Sequence, residues 1–255
     1  MKRLTTLFEQ ADHSWRVVAR DPSRNPCLID TNEFVIESAG VALITDPGGQ
    51  EIFPAVFGAL SADFDPRRVT SIFASHPDPD VISSLALWQA FNPKIRCYAS
   101  WLWSQVIPHL GADSESIIGL PDEGGSIAVG RITLHAIPAH HLHASGNFHL
   151  YDPAARILFT GDVGSAILPA SEQSLFVEDF RRHIRHAEGF HQRLMGSNEA
   201  KNDWCERMAK LPIDMLCPQH GALYRGADVA RFIDWFRALP VGMTSRRASR
   251  SRSSP

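Results

Sequence analysis

Two aspartates and a histidine stand at every second position in the stretch IFASHPDPDVISSL, residues 72–85: His76, Asp78 and Asp80. Carboxylates this close repel one another unless a cation sits between them or water solvates both on a turn. Three further stretches share the form of an apolar run giving way to a polar turn. They are PAHHLHASGN (138–147), with His140, His141 and His143; LFTGDVGS (158–165), with Asp162; and CPQHGAL (217–223), with His220. Imidazole and carboxylate are ordinary protein ligands of divalent transition metals. One histidine-rich loop carries little weight, but four loops at strand ends, which a sheet brings to one side, point to a metal centre. Asp78 and Asp80 taken alone read as turn formers in a proline-rich loop; His76 and the three partner loops favour the metal.

The elements that would position these loops come in two rough halves. WRVVAR, CLIDTNEFVIES and VALITDPGG (15–20, 27–38, 41–49) are β-branched runs punctuated by Asn, Asp and Gly, and read as strands. QEIFPAVFGALSA (50–62) has helical spacing with Pro54 in its first turn. RVTSIFAS is a short buried-type strand leading to His76, and DVISSLALWQAF (80–91) reads as a helix with Asp80 at its N-cap. KIRCYAS is a strand and WLWSQVIPHL (101–110) a helix. SIAVG, RITLHAIPA, NFHLYD and ARILFTGD are strands again. LFVEDFRRHIRHAEGFHQRLM (175–195) spaces Phe176, Phe180, Ile184, Ala187, Phe190 and Leu194 three or four apart, as an amphipathic helix does. A helix around NDWCERMAKL, a strand IDMLCPQHG and a helix DVARFIDWFRAL complete the order. Two mixed sheets packed between helix layers fit this succession, an α/β fold.

Composition narrows the function classes. With 255 residues and 44% hydrophobic content the chain can bury a sizeable core. No segment approaches the apolar length of a membrane span, and Thr5, Thr6, Glu9 and Gln10 interrupt any signal-peptide core. The expectation is a cytoplasmic protein. Cys27, Cys97, Cys205 and Cys217 lie far apart with no CxxC pair, which argues for buried thiols over a disulfide framework or thiolate zinc site. The tail TSRRASRSRSSP (244–255) holds four arginines and no acid, so residues 1–243 carry 21 basic against 28 acidic groups, a formal charge of −7. An acidic body does not suit a nucleic-acid surface. Residues 1–243 read as one domain and 244–255 as a basic, disordered tail.

Taken together, the motifs resemble the metallo-β-lactamase fold superfamily, with its HxHxDH loop, a later His, a later Asp and a final His. His76, Asp80, His143, Asp162 and His220 match those positions, and LITDPGG resembles the superfamily's early DPG-type turn. A carboxylate in place of the second histidine resembles the HxExD pattern of the di-iron branch, the flavodiiron proteins and the shorter oxygen-binding di-iron proteins. The 19-residue interval from His143 to Asp162 is similar to the ungapped interval of flavodiiron proteins and selects His143 among the three loop histidines. PAHHLHASGNFHLYDPAARILFTGD, FHQRLMGSN and CPQHG resemble the shorter group, and the likeness runs to about residue 240.

The resemblance implies a four-layer αβ/βα sandwich. It implies His76, Asp78 and His143 as ligands of one metal, Asp80 and His220 as ligands of a second, and Asp162 as the bridge. The two metals would be iron and the ligand dioxygen or another small diatomic. The charges are consistent: three carboxylates nearly neutralise two divalent ions, and two histidines with a carboxylate suit non-haem iron. Two positions depart from the pattern. Asp78 stands where flavodiiron proteins usually have Glu, one methylene longer, and Val81 replaces the histidine after Asp80, leaving the second metal more open. Flavodiiron proteins continue into a flavodoxin-like domain carrying FMN; no Gly-rich phosphate loop is found here, so no FMN is expected on this chain, and electrons or a signal would pass to a separate partner. Di-iron relatives form dimers, so a homodimer is compatible with the resemblance. The alternative is a zinc or mixed-metal hydrolase of the same superfamily acting on an ester, lactone, thioester or phosphodiester, in which metal-bound hydroxide attacks.

The remaining histidines take lesser roles. His140 and His141 are expected beside the site or at the surface, His135 and His149 on strands away from metal, and His183 and His186 on a solvated helix face. Phe176, Phe180, Ile184 and Phe190 could roof the site, although core packing explains the same stripe.

Overall fold

The computed structural model describes residues 4–21, 28–172 and 174–243. The expectations for residues 22–27, Cys27 among them, and for the tail 244–255 lie outside these. Seven strands form the first sheet in sequence order: β1 (Leu4–Gln10), β2 (His13–Val18), β3 (Glu33–Ser38), β4 (Val41–Thr45), β5 (Val69–Phe73), β6 (Arg96–Ser100) and β7 (Ile117–Leu120). The first four pair antiparallel and the last four run parallel from β4 onward. The second sheet has the order β13-β12-β11-β10-β9-β8, built from β8 (Gly125–Val129), β9 (Ile132–Pro138), β10 (Phe148–Asp152), β11 (Ile157–Gly161), β12 (Met215–Pro218) and β13 (Tyr224–Arg225). Only β11 and β12 are parallel in it.

Period-two alternation along the strands makes three separate cores. In β2 and β3, Trp15, Val17, Phe34 and Ile36 face the space between the sheets, while Val18 and Val35 face outward. The inter-sheet core is aromatic, with Phe34 and Phe73 at 5.5 Å and 6.3 Å from Phe159. The outer face of the first sheet is covered by α1 (Phe53–Asp63), α2 (Pro79–Ile82) and α3 (Leu85–Phe91). That of the second is covered by α4 (Phe180–Leu194), α5 (Asn198–Met208) and α6 (Ala227–Ala238). The result is the expected four-layer αβ/βα sandwich. Among the described residues no helix is long and apolar enough to cross a membrane. Cys97, Cys205 and Cys217 are buried free thiols.

Several local expectations are corrected. WLWSQVIPHL is not one helix but two 3-10 turns, Trp101–Trp103 and Ile107–Leu110. Pro108 withholds an amide there and Gly111 ends the second turn at φ 89°. The helix expected from Asp80 divides into α2 and α3, and its N-cap position is Asp78, with Asp80 in the first turn. The division follows from Ser83 and Ser84, whose side chains bond the preceding loop: Gln50 N–H donates to Ser83 Oγ (3.1 Å) and Ser84 Oγ–H to the Pro47 carbonyl (3.0 Å). α4 begins only at Phe180, capped by Asp179, which accepts from the Arg182 amide at 3.1 Å. Phe176 therefore lies before the helix, in a bridge with Leu223. Strands β1, β7 and β13 were not anticipated; the last has two residues, too few for any pattern.

A buried polar cluster links the two sheets. Asp152 at the end of β10 accepts from Trp15 Nε1 at 2.7 Å and lies 2.8 Å from His13 Nε2, both on β2. Burial would raise its carboxyl, but these partners and the Ala155 amide outweigh burial and hold it below the usual carboxylate range. Asp152→Ala would leave Trp15 N–H and His13 without their partner, and a loss of about 2–4 kcal/mol in urea unfolding is expected. Because the native pKa is depressed, the difference from wild type is full above the unfolded value of about 4 and shrinks as pH falls below it.

Candidate metal centre

The ends of β4, β5, β11 and β12 meet at one edge of the sandwich, and the chain leaves each of them into a polar turn. Beyond β4, Asp46 accepts from the Ser75 amide at 2.7 Å and from Ser75 Oγ–H at 2.6 Å. Ser75 Oγ in turn lies 2.8 Å from His76 Nδ1. With its hydroxyl proton given to Asp46, Ser75 accepts from His76 Nδ1–H, which leaves His76 Nε2 free to face inward. Burial lifts the Asp46 carboxyl to about 7 despite His76 and Ser75.

Gly161 closes β11 at φ 51°, and a Cβ there would meet Ser75 Oγ at 2.7 Å, so only glycine fits. Asp162 follows it, 4% exposed. Its turn is held from behind by two histidines and a tyrosine. The Gly164 amide donates to His191 Nε2 (2.9 Å), and His191 Nδ1–H donates to the Ala187 carbonyl (2.8 Å). Tyr224 O–H donates to the Gly164 carbonyl (3.0 Å), with His183 Nε2 at 3.1 Å from the same hydroxyl. After β12, Gln219 N–H donates to the Gly161 carbonyl (2.8 Å), which locks the His220 turn to the Asp162 turn. His220 Nδ1 lies 2.9 Å from the Asp30 carbonyl, so its Nε2 also faces inward.

All six residues that the family resemblance implies as ligands converge. Asp162 Oδ2 lies 2.9 Å from His143 Nε2 and 3.6 Å from His76 Nε2, whereas its Oδ1 lies 3.2 Å from His220 Nε2. Asp78 Oδ2 lies 3.4 Å from His143 Nε2 and 3.6 Å from His76 Nε2, and Asp80 Oδ2 lies 3.4 Å from His220 Nε2. His76, Asp78 and His143 offer ligand atoms all within 4.8 Å of one another. The set thus divides into His76, Asp78 and His143 on one side of Asp162, and Asp80 and His220 on the other.

These separations suit a metal. Donor atoms bound at about 2.1 Å stand roughly 3.0 Å apart at an octahedral angle and roughly 3.4 Å apart at a tetrahedral one. Asp162 Oδ1 is buried without a directed hydrogen bond, an orphan that a cation would satisfy. The electrostatics agree. Burial works to lower His143 and His220, yet Asp162 with Asp78, and Asp162 with Asp80, outweigh it and lift each to about 10. His76 is raised too, against its burial, by Asp78, Asp162 and Asp46. Hydrogen bonds from His143 and His76 hold Asp78 below the usual range, and the histidines hold Asp162 well below it in spite of burial. The cavity stabilises positive charge, whether borne by protons or by a metal.

The other histidines lie elsewhere. His140 Nε2 is 2.9 Å from the Asp122 carbonyl, and His141 is exposed. His149 is fully buried against Trp204, and burial pushes its pKa down to about 3. The solvated-face expectation fails for His183, which is 6% exposed and lowered by burial to about 4. His191, not singled out from the sequence, is fully buried and likewise lowered to about 4. Of the four side chains weighed as a roof only Phe190 lines the cavity, with Leu194 from α4 and Leu28 and Ile29 from the loop before β3. Phe180 and Ile184 pack into the core beneath α4–α6, and Phe176 lies under Arg225.

Residues 29–221 match the ODP family beta lactamase. The chain belongs to the ODP family. It is 35% identical to the chemotaxis sensor ODP in a structure of its peroxy di-iron species, with a TM-score of 0.85 over 97% of this chain and 99% of that one. The apo state of chemotaxis sensor ODP from T. denticola matches at 35% identity and a TM-score of 0.85, over 96% and 98%. Diflavin flavoprotein A 1 from Synechocystis is 25% identical over 210 residues, which are 80% of this chain and 36% of that protein. The ODP-family chain therefore spans about a third of that relative's length. A mutant flavo di-iron protein from Thermotoga maritima, 20% identical, shares the fold at a TM-score of 0.80 over 93% of this chain and 61% of its own.

Each imidazole must give up its proton to bind a metal, so divalent-cation affinity is expected to rise with pH up to about 10, where His143 and His220 titrate. Calorimetry in buffers of differing ionisation enthalpy should show proton release at neutral pH. In metal-free protein the sign is opposite: the raised pKa values stabilise the fold fully below about 6.5, and that stability is lost as pH rises toward 10. A pH-independent affinity would contradict this electrostatic account.

Proposed function

We propose that this chain is a non-haem di-iron protein that binds dioxygen. The observation that carries the reading is the division of donors about Asp162, one oxygen toward His143 and His76 and the other toward His220. In this reading His76, Asp78 and His143 hold the first iron, Asp80 and His220 the second, and Asp162 bridges them. The likeness to the chemotaxis sensor ODP over nearly the full length of both chains supports iron as the metal and dioxygen as the ligand. Bound iron would supply the electrons that dioxygen needs to bind. The chain's own residues orient the donors, through Ser75 on His76 and the Asp30 carbonyl on His220, and wall the cavity with apolar side chains.

A signalling role, in which oxygen binding is reported to a partner, fits the same likeness. The zinc-hydrolase alternative draws less support from the cavity. Among the described residues its lining contains carboxylates, imidazoles, a serine and apolar groups but no Lys or Arg to hold a phosphate or carboxylate substrate.

Anaerobic loading should give about two irons per chain and an absorption band in the near ultraviolet that appears on exposure to oxygen and bleaches on reduction. Two zincs and no oxygen-dependent spectrum would instead support hydrolysis. His143→Ala is expected to reduce the iron content to about one per chain or less, while His141→Ala leaves it unchanged. Loss of metal from His141→Ala alone would place the wrong histidine in the centre.

A further inference from the structure

The cavity over the centre, about 590 Å³, has among the described residues one charged lining residue that the two-metal reading does not use: Glu51. Glu51 is exposed, so it stands at the mouth, and among the described residues its carboxylate has no hydrogen bond or ion pair. The same cavity is lined by the apolar side chains of Leu28, Ile29, Phe190 and Leu194.

The loop that carries Glu51 is fastened to α2, the helix that bears Asp80. Gly48 N–H donates to the Val81 carbonyl (3.0 Å), and Ser84 N–H donates to the Gly48 carbonyl (3.1 Å). Gln50, beside Glu51, donates its amide to Ser83 Oγ at 3.1 Å. The carboxylate lies over Gly49, where a Cβ would stand 2.4 Å from Glu51 Oε2 and 2.5 Å from Oε1, so the glycine leaves room for it. Glu51 is thus tied through its loop to the helix that bears Asp80, whose side of the centre has fewer protein donors. Field lines from a charge at the mouth of a low-dielectric cleft are focused inward. Three carboxylates inside leave two divalent ions one positive charge in excess; a fourth at the mouth removes it.

We infer that Glu51 is the charge-selecting residue of this pocket: it draws divalent cations toward the Asp80–His220 side and keeps anions off the loaded centre, so that the exchangeable ligand is a small neutral molecule. The inference rests on the two-metal reading and names the ligand class of the same site.

Anaerobic uptake of Co²⁺, followed by its visible absorbance, and azide titration of the Co²⁺-loaded chain test it. Glu51→Gln keeps the shape and removes the charge, and the side chain's exposure and its lack of a partner among the described residues leave the fold untouched. In about 20 mM salt E51Q is expected to slow uptake of the second Co²⁺ by roughly three- to tenfold and to tighten azide binding by a similar factor, E51K more so, with both effects fading in about 0.5 M salt. Glu51→Asp should stay near wild type. Two Co²⁺ per chain with uptake and azide affinity unchanged in E51Q and E51K would overturn this inference alone. A wild-type chain that takes up no second Co²⁺ would overturn the two-metal reading and this inference with it.

Discussion

A buried carboxylate that faces histidines with both of its oxygens is the constraint on which this site is organised. Asp162 is almost fully withdrawn from water, at 4% exposure, where an isolated charge would be very costly. It is held ionised by His143, His220 and His76, whose pKa values its own charge raises in turn. Such a cluster is balanced only as a unit. Removing one member leaves uncompensated charge behind, and metal ions can take the place of the protons as the positive charge among the carboxylates.

The sandwich supplies what this balance needs. Two sheets with an aromatic layer between them bring the ends of β5 and β11 side by side, through Phe73 and Phe159. The turns beyond those strands are then fixed by hydrogen bonds between residues far apart in the chain: Asp46 on Ser75, Gln219 on Gly161, His191 and Tyr224 on Gly164. The helical layer over the second sheet therefore does more than cover a core. His191, on α4, contributes an acceptor to the turn that carries Asp162. Neutral imidazoles suit that task, since burial keeps His183 and His191 uncharged beside the ionised cluster.

Much of this was legible in the sequence, for identifiable reasons. The four loops stand out because each follows an apolar run, and a parallel or mixed sheet gathers such ends. The strands β2 to β5 announce themselves by β-branched runs, and α6 by its stripe of Val229, Phe232, Ile233 and Phe236. What stayed hidden depends on contacts distant in sequence. The break between α2 and α3 is made by hydrogen bonds to the loop at Pro47–Gln50, some 33 to 37 residues away. Asp46 and Ser75, 29 residues apart, carry no local sign of their partnership. His183 and His191 count as polar in any helical pattern, so their burial cannot be read from periodicity; it follows from a hydroxyl and an amide that they meet only in the fold. The choice of His143 among three loop histidines came from the family interval. In the structure His140 instead turns to the Asp122 carbonyl and His141 to solvent.

The most direct measurement is anomalous diffraction at the iron edge from crystals of anaerobically iron-loaded protein. The account predicts two peaks on opposite oxygens of Asp162, one within bonding distance of His76, Asp78 and His143 and the other of Asp80 and His220. A single peak, or a pair that does not share Asp162, would contradict it.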